Sequence, residues 1–480
     1  MTKPVERELV IIGAGPAGMA AAVMARQFGL SVLVLDDNPH CGGQVWRQLG
    51  EYQQQPGGAG GRLRHRRFLG IGYRKGLPLV EDFAASGAEH WPGSAVWQIT
   101  ADRHVFCSRG GTARQIRAGA ILIANGAMER PVPLPGWQLP GVMTVGAAQT
   151  MLKTAALGCD EAVFIGSGPL FYLTIWQYLE AGLKPAAVLD TARQADRLAA
   201  LPWVPLALLQ PAMLADGLRW ISRIRRQCRY FNAVSDIRLG GTSAVSEVSF
   251  RDSAGISHQL PASQVFLHQG VVPNINLTMA TGLEHYWHQG QRCWHPLLGR
   301  DGASSMLGVF VAGDGGGING AMAAITSGRL VAAAAARFLG CNAVPAMPFV
   351  RLRHAWHRSP RALLEKLYPP RQDCLVPAAD DAIICRCEGL DHATISRAIS
   401  EGVAGPNQLK AYCRAGMGRC QGRMCGLTIA EMISRHHGQP QEKTGYYRLR
   451  PPVRPVTLEM LASLHEPDET ACPQEGGTKI

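Results

Sequence analysis

The sequence predicts an α/β fold with two Rossmann-like units and a small helical domain near the C-terminus. Residues 9–36 and 161–190 each contain, in order, a strand, a glycine-containing turn, a helix and a second strand. Two close pairs of cysteines follow after residue 384. The first unit predicts a dinucleotide site in the α/β part, and the cysteines predict an inorganic centre in the helical part.

The composition is that of an ordinary globular protein. Hydrophobic residues make up 46% of the 480 residues and charged residues 18%, which excludes a disordered chain. The net charge is +12, but the basic residues are dispersed and no nucleic-acid-binding motif accompanies them, so we expect no nucleic acid partner. We expect a cytoplasmic protein, because no apolar run approaches the ~18 residues of a transmembrane segment and the N-terminus shows no signal peptide. The 13 cysteines are not expected to form a disulfide framework.

The first unit carries a GxGxxG turn of the kind that holds a dinucleotide pyrophosphate. Gly13 allows the tight turn, Gly15 lets the backbone approach the pyrophosphate, and Gly18 lets the helix pack closely on the strand. The helix N-terminus then faces the phosphates, and Asp36 ends the second strand where it can accept hydrogen bonds from a ribose. The glycines of the next turn allow a flat ring system to approach. The residues predicted to bind this cofactor are Gly13, Gly15, Pro16, Ala17, Gly18, Asp36, Asp37, Gly43 and Gln44.

Two later segments favour FAD over NAD at this site. One strand ends at Asn125 and Gly126, and a second apolar strand delivers Gly313 and Asp314 to a glycine-rich loop. The Asp314 carboxylate is predicted to bond the ribityl hydroxyls of the flavin, while the next helix points its positive end towards the cofactor. We therefore predict that Asn125, Gly126, Gly313 and Asp314 complete the FAD site. Since this last signature lies about 300 residues after the first, the FAD-binding domain is predicted to be discontinuous.

The second unit departs from the first at the third glycine position, where Phe171 stands. Its ring is predicted to crowd the close approach of helix and strand that glycine allows. No basic residue directly follows Asp190 to hold a 2′-phosphate. A retained scaffold or an altered nucleotide site is therefore favoured over productive NAD(P)H binding, which remains an alternative. No catalytic residues are predicted, and His258 and His268 are expected to be structural.

Four cysteines are predicted to bind an inorganic centre: Cys385, Cys387, Cys420 and Cys425. Two thiolate pairs separated by a helical hairpin can converge on one centre. Structural zinc sites use Cys-x2–4-Cys loops, and the Cys-x-Cys spacing of the first pair is too short for one. Nearby arginines and glycine amides suit an anionic iron–sulfur cluster. A [2Fe-2S] cluster is therefore favoured over zinc or uncoordinated cysteines. Cysteines not expected to be ligands include Cys41, Cys374 and Cys413.

These segments predict a division of the chain into five parts. The parts are an FAD-binding domain at 1–130 and 264–340, an inserted dinucleotide-binding-like domain at 131–263, a connector at 341–382, a [2Fe-2S]-binding domain at 383–440 and a C-terminal tail at 441–480. The connector is rich in proline, arginine and histidine and is predicted to contain one short helix at most. His354 and His357 in it are expected to pack at a surface rather than bind a metal. A flexible loop is predicted at 53–61.

Two segments carry a family resemblance. The run ILIANGAMERPVPLPGWQLPGVMTVGAAQTML and the segment AGMGRCQGRMCG resemble the α subunits of heteromeric amino-acid and opine dehydrogenases, which are two-dinucleotide-binding-domain flavoproteins. The likeness covers nearly the whole chain, although the family usually has Thr at the position of Asn125. The cysteine spacing is also similar to that of the bacterioferritin-associated ferredoxin type of [2Fe-2S] domain. That type has Cys-x2-Cys as its second pair, whereas this chain has Cys-x4-Cys, as the α subunits do.

The resemblance implies a division of labour between subunits. In such complexes an FAD-containing β subunit oxidises a C–N bond, and the α subunit passes the electrons on through FAD and a [2Fe-2S] cluster. It implies a hetero-oligomer and allows a small third subunit, FMN at the interface with the β subunit, and a peripheral position at the inner membrane through the electron acceptor. D-hydroxyproline dehydrogenase and octopine or nopaline dehydrogenase are the candidate complexes. A glycine-oxidising hydrogen cyanide synthase subunit remains open.

Two other function classes remain open. One is a self-sufficient NAD(P)H-dependent flavoprotein reductase, which the second glycine turn favours and Phe171 disfavours. The other is a non-catalytic scaffold subunit that holds ADP or ATP in the first site. Reduction of the flavin by NADH would support the first alternative. Release of an adenine nucleotide in place of FAD would support the second.

Overall fold

The computed structural model describes residues 5–49 and 67–464 and confirms the predicted α/β fold class. The loop predicted at 53–61 lies outside the described residues. Within those residues, no helix combines the length and the apolar character that crossing a membrane requires.

Strands and helices alternate through most of the chain. The strands are β1 Val5–Ile12, β2 Val32–Leu35, β3 Glu89–Trp91, β4 Ala95–Ile99, β5 His104–Arg109, β6 Thr112–Ile123, β7 Ala127–Glu129, β8 Val142–Thr144, β9 Val163–Gly166, β10 Ala187–Asp190, β11 Tyr230–Phe231, β12 Ser235–Gly240, β13 Glu247–Arg251, β14 Ser257–Pro261, β15 Val265–His268, β16 Val271–Pro273, β17 His285–His288, β18 Cys293–Pro296, β19 Val309–Val311, β20 Ile383–Cys385 and β21 Leu390–Asp391. The α-helices are α1 Pro16–Gln27, α2 Ile71–Arg74, α3 Leu77–Ala85, α4 Val145–Ala155, α5 Pro169–Glu180, α6 Gln194–Ala200, α7 Val204–Ala207, α8 Pro211–Gln227, α9 Asn276–Thr281, α10 Ala321–Phe338, α11 Pro348–Arg358, α12 Arg361–Leu367, α13 Gln372–Leu375, α14 His392–Ser400, α15 Pro406–Cys413, α16 Gly426–His436, α17 Gln441–Thr444 and α18 Leu458–Ala462.

The first sheet brings the three FAD signatures to one edge. Its order is β3–β2–β1–β6–β5–β4, and β19 pairs with β6 as well. Strands β1, β2, β6 and β19 run parallel, with Ile12 beside Leu35 and Ile123, and Ile123 beside Val311. The carboxyl ends of parallel strands meet at the same edge, where ligands of open α/β sheets bind. The glycine turn after β1, the Asn125 turn after β6 and the Asp314 turn after β19 are therefore neighbours.

Small residues hold helix α1 close to its surroundings. A Cβ on Gly18 would lie 1.8 Å from the Gly13 oxygen, and a Cβ on Gly328 would lie 2.1 Å from the Ala17 oxygen. Glycine is required at both positions, because no side chain fits the space between α1, β1 and α10. This close packing fixes the N-terminus of α1 beside the end of β1.

The second sheet is all parallel, in the order β11–β10–β9–β15–β8. Phe171 on α5 is fully buried here. Its ring meets Phe164 of β9 edge-on, with the ring centroids 6.4 Å apart. Tyr178 and Phe266 complete an aromatic layer between helix and sheet. The layer accommodates Phe171, so the ring expected to crowd the contact forms part of the core instead.

The prediction of one short helix at most in the connector is wrong, because residues 341–382 contain three helices, α11, α12 and α13. Pro348 lies in the first turn of α11, where its missing N–H costs nothing, so the proline is compatible with a helix. Helix α11 packs on α10, where His354 Nδ1 lies 3.0 Å from Thr326 Oγ1. His354 therefore has the packing role expected of it.

The C-terminal helical region has a core of its own. Helices α14, α15 and α16 surround buried aliphatic residues and Tyr447; the aliphatic set includes Ile395, Leu409, Ile429 and Ile433. Trp137 Nε1 donates to the Ile383 oxygen at 2.6 Å, and Arg292 Nε donates to Glu431 Oε1 at 3.2 Å. These bonds fix the helical region on the α/β part.

Candidate functional site

One cavity of about 1800 Å³ follows the carboxyl edge of the first sheet and continues to the turn after β9. Every residue predicted to bind FAD lines it except Gly18, which packs against β1. Those lining residues are Gly13, Gly15, Pro16, Ala17, Asp36, Asp37, Gly43, Gln44, Asn125, Gly126, Gly313 and Asp314. Residues distant in sequence thus share one cleft of the size that a dinucleotide needs.

The N-terminus of α1 faces this cavity. Gly15 precedes the helix with no side-chain capping bond, and Pro16 occupies the first turn. A Cβ on Gly43 would lie 3.0 Å from the Gly15 Cα, so the two backbones pass with no room for a side chain. Free N–H groups at a helix N-terminus bind phosphate. This cradle fits the pyrophosphate of FAD.

Asp36 and Asp37 have different roles. Asp36 is buried, and its carboxylate accepts from Ala14 N at 2.5 Å and from Asn38 N at 2.7 Å. These two bonds fix the carboxylate at the end of β2, where it can also accept from a ribose. Asp37 is half-exposed and pairs with Arg454.

Asn125 and Asp314 lie at the other end of the predicted site. Asn125 Nδ2 donates to the Asn274 oxygen at 2.9 Å, and its Oδ1 is buried without a hydrogen-bond partner among the described residues. Asp314 Oδ1 accepts from the N–H groups of Asn319 and Gly320 at 2.9 and 3.0 Å. Burial raises the pKa of the Asp314 carboxyl. The unpaired Asn125 oxygen is the kind of atom that a bound cofactor satisfies.

Lys153 on α4 is a cavity residue that sequence reasoning missed. Its Nζ donates to the Gln44 and Val45 oxygens at 3.0 and 3.1 Å and to Gln149 Oε1 at 2.7 Å. Burial, with a smaller contribution from Arg47, lowers the pKa of Lys153 to about 7. The side chain ties α4 to the segment that follows β2. No local motif marks such a contact, because Lys153 and Val45 lie 108 residues apart.

Glu129 and His268 form a second pair in the cavity wall. His268 Nδ1 lies 2.5 Å from Glu129 Oε1, and Gly146 N donates to Glu129 Oε2 at 2.7 Å. The structural role expected of His268 explains the contact of its Nδ1 with Glu129. It does not explain why both residues also line the cavity.

Asp190 of the second unit is sealed from ligands. The side chain is fully buried and accepts from Tyr172 Oη at 3.0 Å, Tyr230 Oη at 2.5 Å and Ala192 N at 2.8 Å. Burial raises the pKa of the Asp190 carboxyl against these hydrogen bonds. Protein donors therefore already bond to the Asp190 carboxylate, which would have to accept hydrogen bonds from the ribose in an NAD site.

The four predicted ligand cysteines come together as two pairs. The Cys385 thiol contacts the Cys425 thiol, and the Cys387 thiol contacts the Cys420 thiol. The contact with Cys425, together with N–H groups that include that of Gly416, lowers the pKa of Cys385 to about 6. Among the described residues, no three His, Cys, Asp or Glu side chains are arranged to hold one metal ion. The four cysteines predicted as ligands thus meet as two pairs of sulfurs.

The cysteine loop also reaches the cavity. Arg423, between Cys420 and Cys425, lines the cavity wall and donates through Nη2 to the Val453 oxygen at 3.1 Å. Asn276 Nδ2 donates to the Gln421 oxygen at 2.9 Å. The loop therefore borders the same cavity as the residues predicted to bind FAD.

Comparison with known proteins identifies the family. A family model for pyridine nucleotide-disulphide oxidoreductases matches residues 7–178, and one for the sarcosine oxidase A3 domain matches residues 382–465. The A-type subunit of opine oxidase from Agrobacterium tumefaciens (strain Ach5) is 41% identical over 471 residues, which are 95% of this chain and 92% of that protein. The chain belongs to the family of A-type opine oxidase subunits.

This chain is also similar to proteins outside the opine oxidases. Hydrogen cyanide synthase subunit HcnB of Pseudomonas aeruginosa is 29% identical, with 95% of this chain and 98% of that protein aligned. L-proline dehydrogenase from P. horikoshii has the same fold, with a TM-score of 0.71 at 19% identity over 96% of this chain and 80% of that one.

The family membership confirms that the chain is a flavin oxidoreductase. The matched family model and the shared fold support FAD as the cofactor of the first site. The first relatives are named as subunits, which implies a partner chain.

Proposed function

We propose that this chain is the electron-transferring α subunit of a heteromeric dehydrogenase that holds FAD and a [2Fe-2S] cluster. The observation that carries the proposal is the cysteine loop, which brings two thiol pairs together and reaches the FAD cavity through Arg423. When bound, the flavin accepts an electron pair as a hydride equivalent, and the cluster carries single electrons. A chain with both groups is suited to divide electron pairs and pass them on.

The FAD site is proposed from the residues that line the cavity. The α1 N-terminus and Gly43 would hold the pyrophosphate, and Asp36 would hold the ribose. Asp314 and the unpaired Oδ1 of Asn125 would face the flavin end. A buried polar atom without a partner is costly, so the Asn125 oxygen supports a ligand at this end.

The cluster site is proposed from the donor set. Cys385 and Cys425 would bind one iron, and Cys387 and Cys420 the other. Backbone N–H groups that point at these sulfurs support an anionic cluster, and they include those of Gly416, Glu388, Gly422 and Met424. The predicted domain boundaries, with this centre at 383–440, stay part of the proposal.

The substrate is proposed to be oxidised in a partner β subunit with its own FAD. Relatives at up to 41% identity are named as opine oxidase subunits, which supports an opine such as octopine or nopaline. D-hydroxyproline, another compound with an oxidisable C–N bond, is the second candidate. A small third subunit, with FMN at the β-subunit interface, belongs to the same proposal. A cytoplasmic location, with contact to the inner membrane through the electron acceptor, is also part of the proposal.

Cofactor analysis tests the proposal. The chain should be purified alone under anaerobic conditions and with its neighbouring gene product. We expect one FAD, two irons and two acid-labile sulfides per chain in both samples, and opine turnover only with the partner. Zinc in place of iron, or an adenine nucleotide in place of FAD, would contradict the cofactor assignment.

A self-sufficient NAD(P)H-dependent reductase is the second candidate, because the turn after β9 lines the same cavity. The sealed Asp190 carboxylate disfavours it. Rapid anaerobic bleaching of the flavin by NADH would support this candidate. Turnover of glycine by the assembled complex would support a hydrogen cyanide synthase subunit.

A further inference from the structure

The second glycine turn, after β9, borders the cavity, and no side chain caps the helix that follows it. Gly168 precedes α5 with a φ of 114° and no side-chain capping bond, and Ser167, Gly168 and Pro169 line the cavity. Helix α5 has 12 residues, so its N-terminus carries the full positive end of a helix dipole. Strands β9 and β15 are neighbours in the sheet, which places their carboxyl ends together at this point.

His268 ends β15 beside this turn. The side chain is only 2% exposed, and its Nδ1 is held by Glu129. Its Nε2 has no hydrogen-bond partner among the described residues. The position that a Cβ on Gly168 would take lies 3.9 Å from this Nε2. The free nitrogen therefore faces the space in front of α5.

Glu129 prepares His268 to donate a hydrogen bond. Its other oxygen accepts from Gly146 N near the start of α4, so the helix balances part of the carboxylate charge. In the imidazolium form both ring nitrogens are donors, so Nδ1–H donates to Glu129 while Nε2–H points into the cavity. A buried donor and a helix N-terminus that meet at one point form a site for a negatively charged group.

We propose that this corner binds an oxyanion, the phosphate or carboxylate group of a small metabolite, and not a dinucleotide. The α5 N–H groups and His268 Nε2 would hold the anion. A ribose beside the anion would find no free acceptor, because Tyr172, Tyr230 and Ala192 already donate hydrogen bonds to the Asp190 carboxylate. The proposed anion site uses none of the residues predicted to bind FAD. It also does not require a cluster at the four cysteines.

Calorimetric titration of the FAD-loaded chain with inorganic phosphate, acetate and NAD⁺ tests the proposal. We expect phosphate or acetate to bind, and NAD⁺ to bind no more tightly than phosphate. His268→Asn should weaken anion binding by about tenfold or more, because a hydrogen bond to a charged group is lost. Glu129→Gln leaves the histidine in place and should weaken binding in the same direction. The relative affinity of phosphate and acetate identifies the anion class.

The matched control is His258→Asn. His258 also pairs with a carboxylate, since its Nε2 lies 2.7 Å from Asp252 Oδ2, but it lies on β14 and does not line the cavity. This variant should bind the anion as the wild type does. Thermal unfolding of all three variants checks that each is folded. No binding of phosphate or acetate, equal binding by folded wild type and His268→Asn, or NAD⁺ binding at least tenfold tighter than phosphate would each overturn the proposal.

Discussion

Arg454 forms an ion pair with Asp37 at the mouth of the FAD cavity, with Nη1 2.6 Å from Oδ2. The pair joins the segment after the cysteine region to the turn after β2. The two side chains are 40% and 49% exposed, so water screens the charges, and such a pair is worth about 1 kcal/mol or less. The contact helps to position the C-terminal segment over the cavity more than it stabilises the fold.

Arg454→Met should therefore lower the free energy of unfolding by less than about 1 kcal/mol. FAD content should not change, since Asp37 remains free to contact the cofactor. Urea unfolding and the flavin-to-protein ratio check both statements. Arg450→Met, an exposed arginine of the same segment, is the matched control. A loss of more than about 2 kcal/mol in the Arg454 variant alone would show that the pair is not screened.

Asp36→Asn should have a much larger effect. The buried carboxylate accepts from two backbone N–H groups, whereas an amide offers one oxygen and turns its NH₂ towards one of them. An unsatisfied buried donor costs about 1–3 kcal/mol, so we expect a less stable protein that loses FAD during gel filtration. Asp37→Asn should lose less flavin under the same conditions, because Asp37 is half-exposed. Equal flavin content in the two variants would argue against Asp36 as the ribose-binding residue.

Lys153 should make stability depend on pH. Its pKa is about 7 in the folded chain against 10.5 for an ordinary lysine, so between these values the unfolded state binds more protons than the folded state. The free energy of unfolding should then rise with pH across this window. Compared with Lys153→Met, the wild type should gain relative stability from about pH 7 to about pH 10.

Chemical unfolding of both proteins at several pH values measures this difference. Lys184→Met is the control for the loss of a lysine, because Lys184 is exposed. A pH-independent difference for Lys153→Met would show that Lys153 titrates normally.

Replacement of each of the four paired cysteines should remove the cluster. We expect Cys385→Ser, Cys387→Ser, Cys420→Ser and Cys425→Ser to lose iron and acid-labile sulfide while FAD is retained. Cys413→Ser is the control, since Cys413 lies at the end of α15 and donates to the Leu409 oxygen at 3.5 Å. Iron and sulfide analysis, with electron paramagnetic resonance of the reduced protein, checks the result. Loss of iron in the Cys413 variant with retention in any of the four would contradict the ligand assignment.

The meeting of the three glycine-containing signatures at one sheet edge is predictable from the sequence because its signals are local. The glycine turn, Asp36 and Asp314 each follow a strand directly, and parallel strands bring their ends together. The sealed state of Asp190 depends on Tyr230, which lies 40 residues away, so no local pattern indicates it. The helices of the connector are hard to predict from composition, because a proline such as Pro348 is compatible with a helix only in its first turn.

The central claim is that electrons enter this chain from a partner subunit. Anaerobic stopped-flow mixing with D-octopine or D-hydroxyproline tests it most directly, with the chain alone and in complex with its partner. The account predicts that the flavin and the cluster of this chain are reduced only in the complex. Rapid reduction of the flavin in the isolated chain by either substrate would contradict it.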